Sequence, residues 1–183
     1  MNNDLGQALL LIARNAIADK LGVAHPAEEA VRPELSRPGA VFVTLMKRGE
    51  LRGCIGSLEA WRPLRDDVVA NARAAAFNDP RFAPLEAAEL PEISVEVSLL
   101  SAAQPMSFAS EAEAVGQLRP NLDGVILEYD RHRGTFLPQV WESLPEPRQF
   151  MAQLKRKAGL APDFWSKDLK LSRYTVEKWK EAT

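Results

Sequence analysis

The stretch from Ala40 to Ile55 constrains this chain most. Val41, Val43 and Leu45 alternate with their neighbours, Lys47-Arg48-Gly49-Glu50 has the composition of a tight turn, and Leu51, Gly53 and Ile55 resume the alternation. The pattern predicts a β-hairpin with one face turned to a core, and such a face needs a cover. Leu5, Leu9, Ile12, Ala16 and Ile17 recur at three- and four-residue intervals, predicting a one-sided helix that Gly22 ends in a left-handed cap. A second helix opens at Pro63, buries Leu64, Val68, Ala72, Ala75 and Ala76, and stops at Asn78-Asp79-Pro80. Between the first helix and the hairpin, Val23 to Pro38 carries three prolines and reads as an extended surface loop containing His25.

Further along, Ile93, Val95, Val97 and Leu99 alternate strictly through Glu92–Leu99, as expected of a central strand. Ser110 followed by Glu113 has the form of a capping box, predicting a short helix through Val115 and Leu118 that Pro120 ends. Val125–Glu128 and Thr135–Leu137 flank a charged turn, Asp130-Arg131-His132-Arg133-Gly134, and predict a second hairpin. Pro138 starts a short helix through Trp141. A helix from about Arg148, built on Phe150, Met151, Leu154 and Ala158, ends at Gly159, and one strand runs through Leu171, Tyr174, Val176 and Trp179. Hairpins and helices interleave without regular strand–helix alternation, so the expected class is α+β with a mostly antiparallel sheet and flanking helices. At 183 residues, with no linker or repeat, residues 1–183 read as a single domain.

Composition narrows the function. No apolar run approaches a membrane span, and Met1-Asn2-Asn3-Asp4 lacks a secretory start, so the cytoplasm is expected. A single cysteine, Cys54, excludes an intrachain disulfide, a four-cysteine zinc site and an iron–sulfur cradle. The sequence carries no paired-histidine metal motif, glycine-rich nucleotide loop or nucleophile elbow, so no metal site is expected. The net charge of −2 divides into +5 from Arg148 onward and −7 before it. The basic end reads either as a surface for an acidic partner or as a solvated helix face on which Lys155, Arg156 and Lys157 meet water. The negative balance and the absence of a recognised basic–aromatic module argue against nucleic acid.

Chemistry concentrates at Leu51-Arg52-Gly53-Cys54-Ile55-Gly56. Strand alternation sends Arg52 and Cys54 out on one face, where a guanidinium beside a thiol favours the thiolate, and Gly53 and Gly56 leave room for a ligand or another backbone. Cys54 is the candidate catalytic nucleophile; the alternative is a buried structural thiol. His25 and His132 are the two imidazoles in the chain, the first in a loop, the second in a turn between two arginines where it would stay neutral and solvated. Glu96, midway along an apolar strand, either faces solvent or lines a cleft. Asp79 and Arg81 either clamp a polar substrate or pair with each other across their turn. Thr135, Gln139 and Trp141 lie at a strand-to-helix junction of the kind that lines sites, where Trp141 and Phe136 also suit the core.

These segments resemble a known family. Phe42-Val43-Thr44-Leu45, Leu51-Arg52-Gly53-Cys54-Ile55-Gly56, Asn71, Ala75-Ala76-Phe77, Asp79-Pro80-Arg81-Phe82, Glu96-Val97-Ser98, Asp123-Gly124 and Gly134-Thr135-Phe136-Leu137-Pro138-Gln139-Val140-Trp141 together resemble the AMMECR-type domain, protein A of the AmmeMemoRadiSam system. The resemblance runs nearly end to end and adds Thr44 and Asn71 to the candidate substrate-binding residues. It implies an α+β protein with a larger and a smaller lobe and a cleft gathering the motifs. It also implies association with a Memo-like protein and a radical-SAM enzyme, but no particular reaction and no cofactor. Two functional readings follow: a cysteine-dependent enzyme acting on a small polar or anionic substrate, or a non-catalytic module that holds those partner proteins.

Overall fold

The computed structural model describes residues 3–28 and 31–182. Met1 and Asn2, at the expected start of the first helix, and Glu29 and Ala30, within the expected loop, lie outside the described residues. The described residues form two compact units, those up to Leu100 with Glu177 to residue 182, and residues 101–176.

The first unit is built as its hydrophobic periods require. Helix α1 (Asn3–Leu21) ends at Gly22, whose φ of +69° is a left-handed stop. The loop after it includes a turn of 3-10 helix at Pro33–Ser36, started by the proline in place of a fully extended path. Strands β1 (Ala40–Lys47) and β2 (Glu50–Gly56) form the expected hairpin. Arg48 and Gly49, at φ +53° and +81°, make its two-residue turn, because positive φ at both positions matches the twist of the strands. Helix α2 (Leu64–Phe77) follows, then β3 (Ile93–Leu100). The sheet order β2-β1-β3-β8 makes β3 an interior strand, with β8 (Val176–Lys180) at its far edge. Val41, Val43, Leu45, Val95 and Val97 are fully buried under α1 and α2, each contributing about 1.5–3 kcal/mol of burial.

In the second unit β4 (Gln104–Pro105), β5 (Gly124–Tyr129), β6 (His132–Phe136) and β7 (Lys170–Tyr174) form a sheet of order β4-β7-β5-β6, with antiparallel pairs throughout. Helix α3 (Glu111–Gln117) starts as expected, the Ser110 hydroxyl accepting from the Glu113 N–H. Helix α4 (Pro147–Lys157) closes a core in which Trp141 and Phe150 stack with ring centroids 3.8 Å apart.

The structure departs from the sequence expectation at four places. The single C-terminal strand is two, β7 and β8, which break at Thr175 and join different sheets, since Thr175 turns its N–H and C=O to Ser101 instead of a strand. The second hairpin turns on Asp130 and Arg131 alone; His132, Arg133 and Gly134 continue β6, because Gly134 faces Ala158 of the α4 C-terminus and Arg133 pairs with Glu128 opposite. His132 is consequently half-buried, its Nδ1 2.9 Å from the Ala158 carbonyl, and is not a solvated turn residue. Lys155 is buried, while its neighbours Arg156 and Lys157 are exposed as expected.

Candidate functional site

Cys54 sits on β2 opposite Thr44 of β1, which in turn lies opposite Glu96 of β3. Period two puts all three side chains on the face of the sheet away from α1 and α2. The Thr44 hydroxyl donates to the Cys54 Sγ at 3.3 Å, and the thiol is half-buried. Glu96, 9% exposed, lies 3.4 Å from Lys178 Nζ and 3.3 Å from Lys180 Nζ, so two exposed ammonium groups from β8 compensate one nearly buried carboxylate.

The backbone of Cys54 is held from the outer edge of the sheet. β2 is an edge strand, whose outward N–H and C=O groups need partners. Asp79 Oδ2 accepts the Cys54 N–H at 3.0 Å and Arg81 Nη2 donates to the Cys54 carbonyl at 3.4 Å. The same aspartate receives Arg81 Nε and Nη2 at 3.0 and 2.7 Å and the Arg81 N–H at 3.1 Å. Asp79 and Arg81 do pair across their turn, and the pair clamps one peptide of the strand. Charge-assisted bonds from Arg81, then the Cys54 and Arg81 amides, hold the Asp79 carboxyl well below the usual carboxylate range. Arg81 keeps a 55% exposed side chain, with its guanidinium carbon 5.5 Å from the Phe82 ring centroid. It also feels the Cys54 thiol electrostatically, which helps to raise its own pKa after the larger effect of Asp79.

The sequence pointed to Arg52 for that position. The pairing register between β1 and β2 slips by one residue after Leu45, which pairs with Gly53 while Met46 pairs with Leu51. Arg52 is the extra residue, so simple alternation does not carry through it. Its guanidinium instead makes a two-pronged pair with Glu89, 3.0 and 3.2 Å, and donates to the Ala83 carbonyl at 2.8 Å. Glu89 also receives Lys47 at 3.0 Å and the Glu86 N–H at 2.9 Å. Arg52, with these partners, pulls its carboxyl down to about 2.

The glycines hold close approaches. A Cβ at Gly53 would lie 2.1 Å from the Ala75 carbonyl oxygen of α2, and one at Gly56 would lie 2.2 Å from the Phe42 ring. Of the two alternatives open at these glycines, a ligand or another backbone, the Ala75 backbone takes the room at Gly53, while the Phe42 ring takes that at Gly56. Asn71 belongs to a separate buried network: its Nδ2 donates to Asp67 at 3.0 Å, Ser57 at 3.0 Å and the Val41 carbonyl at 3.1 Å. Asp67, 0% exposed, is further held by the Val41 N–H, the Ser57 hydroxyl and Arg62.

Thr135, Gln139 and Trp141 belong to the second unit. The Thr135 hydroxyl is 3.2 Å from the Tyr174 hydroxyl, which donates to the Phe136 carbonyl at 3.2 Å. Burial raises the Tyr174 phenol, and the Thr135 contact partly offsets that rise. Trp141 is 1% exposed and its indole N–H donates to the Asp123 carbonyl at 2.7 Å, while Gln139 is exposed. The imidazoles have partners of their own: His25 Nε2 pairs with Asp19 at 2.6 Å, and His132 Nδ1 lies 2.9 Å from the Ala158 carbonyl. Among the described residues no group of three or more His, Cys, Asp or Glu is placed to hold a metal ion, and no helix is long and apolar enough to cross a membrane.

Lys178 and Lys180 escaped the sequence reading. Their alternation around Trp179, buried at 8% exposure, puts both on one face, but their pairing with Glu96 depends on β8 returning to β3.

Residues 10–179 match the family model AMMECR1. The chain belongs to the AMMECR1 family. It is 37% identical to a protein of Methanothermobacter thermautotrophicus over 99% of this chain and 96% of that one. With a protein of Thermofilum pendens it shares 35% identity over 97% of this chain and 90% of the relative. A crystal structure of an uncharacterized protein from Pyrococcus horikoshii superposes with a TM-score of 0.82 at 33% identity, covering 97% of this chain and 92% of that one. Family membership confirms the resemblance read from the motifs, and the α+β class with two antiparallel sheets agrees with it.

Proposed function

We propose that the sheet face carrying Cys54, Thr44 and Glu96 is a site for a small anionic molecule, with the Cys54 thiol as its reacting group. The clamp on the Cys54 peptide is the observation that carries this reading. One residue of an edge strand is held at both its N–H and its C=O by a side-chain pair, one member of which keeps an exposed guanidinium. Such fixing positions a functional group without consuming it. Thr44 stabilises negative charge on sulfur by donation, Arg81 supplies the nearby positive charge, and Lys178 and Lys180 extend it across the sheet beside Glu96. Gly53 and Gly56 set the spacing of the strand against α2 and Phe42.

Alkylation of the native protein tests the reading, because Cys54 is the single cysteine and each mass increment reports on it alone. The sulfur displaces iodide from iodoacetate or iodoacetamide, its proton passing to buffer. The anionic reagent gains from Arg81, so Arg81→Gln slows iodoacetate relative to iodoacetamide by roughly threefold, an effect that fades in high salt. A thiol inert to both reagents in the folded protein, or an unchanged ratio in Arg81→Gln, overturns it.

A further inference from the structure

In the second unit, α3 and α4 border a cavity of about 560 Å³ lined by Glu111, Ala112, Val115, Gly116, Arg148 and Pro162. Lys155 stands seven residues after Arg148 on α4, and a seven-residue step returns to the same helix face. The two cations differ in their situation. Lys155 has a side chain only 1% exposed, with its ammonium on Glu111, 3.4 Å from the Pro162 carbonyl and 5.7 Å from the Trp165 ring centroid. Arg148 is exposed and makes no hydrogen bond or ion pair among the described residues.

A buried ammonium must keep a counter-charge, because losing one leaves an uncompensated charge in a poorly solvated place. Here that counter-charge comes from a side chain 40% exposed and itself part of the cavity wall. Exchanging the Glu111 carboxylate for one brought by a ligand preserves the pair and returns Glu111 to water. Arg148, two turns along the same face, offers a planar fork for a second carboxylate. Lys155 stands behind Glu111 rather than in the cavity wall, so the Ala112, Val115, Gly116 and Pro162 walls suit a short carbon chain reaching from Arg148 to the place that the Glu111 carboxylate fills. We infer that this cavity is a binding site for a small dicarboxylate, in which Glu111 occupies the place of one ligand carboxylate when the site is empty. The inference concerns the second unit alone and does not depend on the Cys54 reading.

Titration of the full chain with sodium succinate, followed by backbone amide NMR shifts, tests it, with acetate, inorganic phosphate and sodium chloride at matched ionic strength as comparisons. The expected result is saturable shifts in α3 and α4 with succinate, weaker ones with acetate, and none with chloride. Arg148→Ala, an exposed position that leaves the fold intact, weakens succinate about tenfold by loss of a charge-assisted pair. Glu111→Gln tightens succinate, because the internal competitor for Lys155 is gone; Arg148→Ala decides the matter alone if that variant does not fold. Phosphate binding without succinate binding overturns the dicarboxylate class. Absent succinate shifts, or equal affinity in wild type and Arg148→Ala, overturn the site.

Discussion

The two hairpins share a plan and use it differently. Each turns on two residues, each has a glycine facing a helix, and each carries motif residues that the sequence marked as candidates. In the β1–β2 hairpin, the motif's polar atoms lie at an edge and on the face away from the helices, where Cys54, Arg81, Lys178 and Lys180 keep accessible surface. In the β5–β6 hairpin, the motif's polar atoms mostly turn inward: Thr135 to Tyr174, the Trp141 N–H to Asp123, His132 to Ala158. A dense motif can therefore leave its polar atoms open or turn them inward, and the partners of those atoms tell which. Spacing in the chain does not.

Glycine replacement should separate the hairpins most strongly. Gly53 has a backbone carbonyl 2.1 Å from where a Cβ would stand, whereas Gly134 meets Ala158 atoms at 3.1 Å. Gly53→Ala is expected to cost about 3 kcal/mol and Gly134→Ala about 1 kcal/mol, read from urea melts. Equal losses would mean that the two helices yield alike and would remove this contrast.

Acid stability also distinguishes the two hairpins. The Asp79 and Glu89 carboxyls, both tied to the first hairpin, have folded-state values below their unfolded ones. The stability they add is thus fully present above roughly pH 4.5 and is lost as the pH falls toward about 2. Asp79→Asn and Glu89→Gln should each flatten the fall in stability across that window, measured by melts at stepped pH. Thr135→Val should leave its slope unchanged, and a slope unaltered by both carboxylate variants would detach acid sensitivity from the first hairpin.

The smallest effect is expected at Thr135. Thr135→Val removes one partner of the Tyr174 hydroxyl, at a cost of about 1 kcal/mol. It should also move the phenol further upward, since the Thr135 bond lowers it against burial. Ultraviolet titration of the tyrosines reads that shift, and an unmoved phenol would show that the Phe136 carbonyl alone governs Tyr174.

Much of the fold was legible because local and long-range demands coincide. The first helix, the first hairpin with its turn, the central strand and the Ser110 cap all follow from a period or a capping pattern that burial then rewards. The errors fall where a distant element overrides local composition. His132 and Arg133 look like turn residues until Ala158, at the end of α4, and Glu128 supply their partners, and Lys155 looks solvated until Glu111 and Trp165 enclose it. At the candidate site, the thiol and its motif were visible, but the slipped register gave Arg52 to Glu89 and left Arg81 to accompany Cys54.

By itself, then, the sequence determined the two hairpins, the apolar faces of the early helices and strands, and the family, since these depend on period and on ordered motifs. Only the tertiary structure decided which arginine meets the thiol's strand, that Asp79 holds the Cys54 peptide, and that Lys178 and Lys180 reach Glu96. Those outcomes depend on register and on the return of a strand from the far end of the chain. A one-residue slip or a single strand crossing redirects side chains without altering the composition around them.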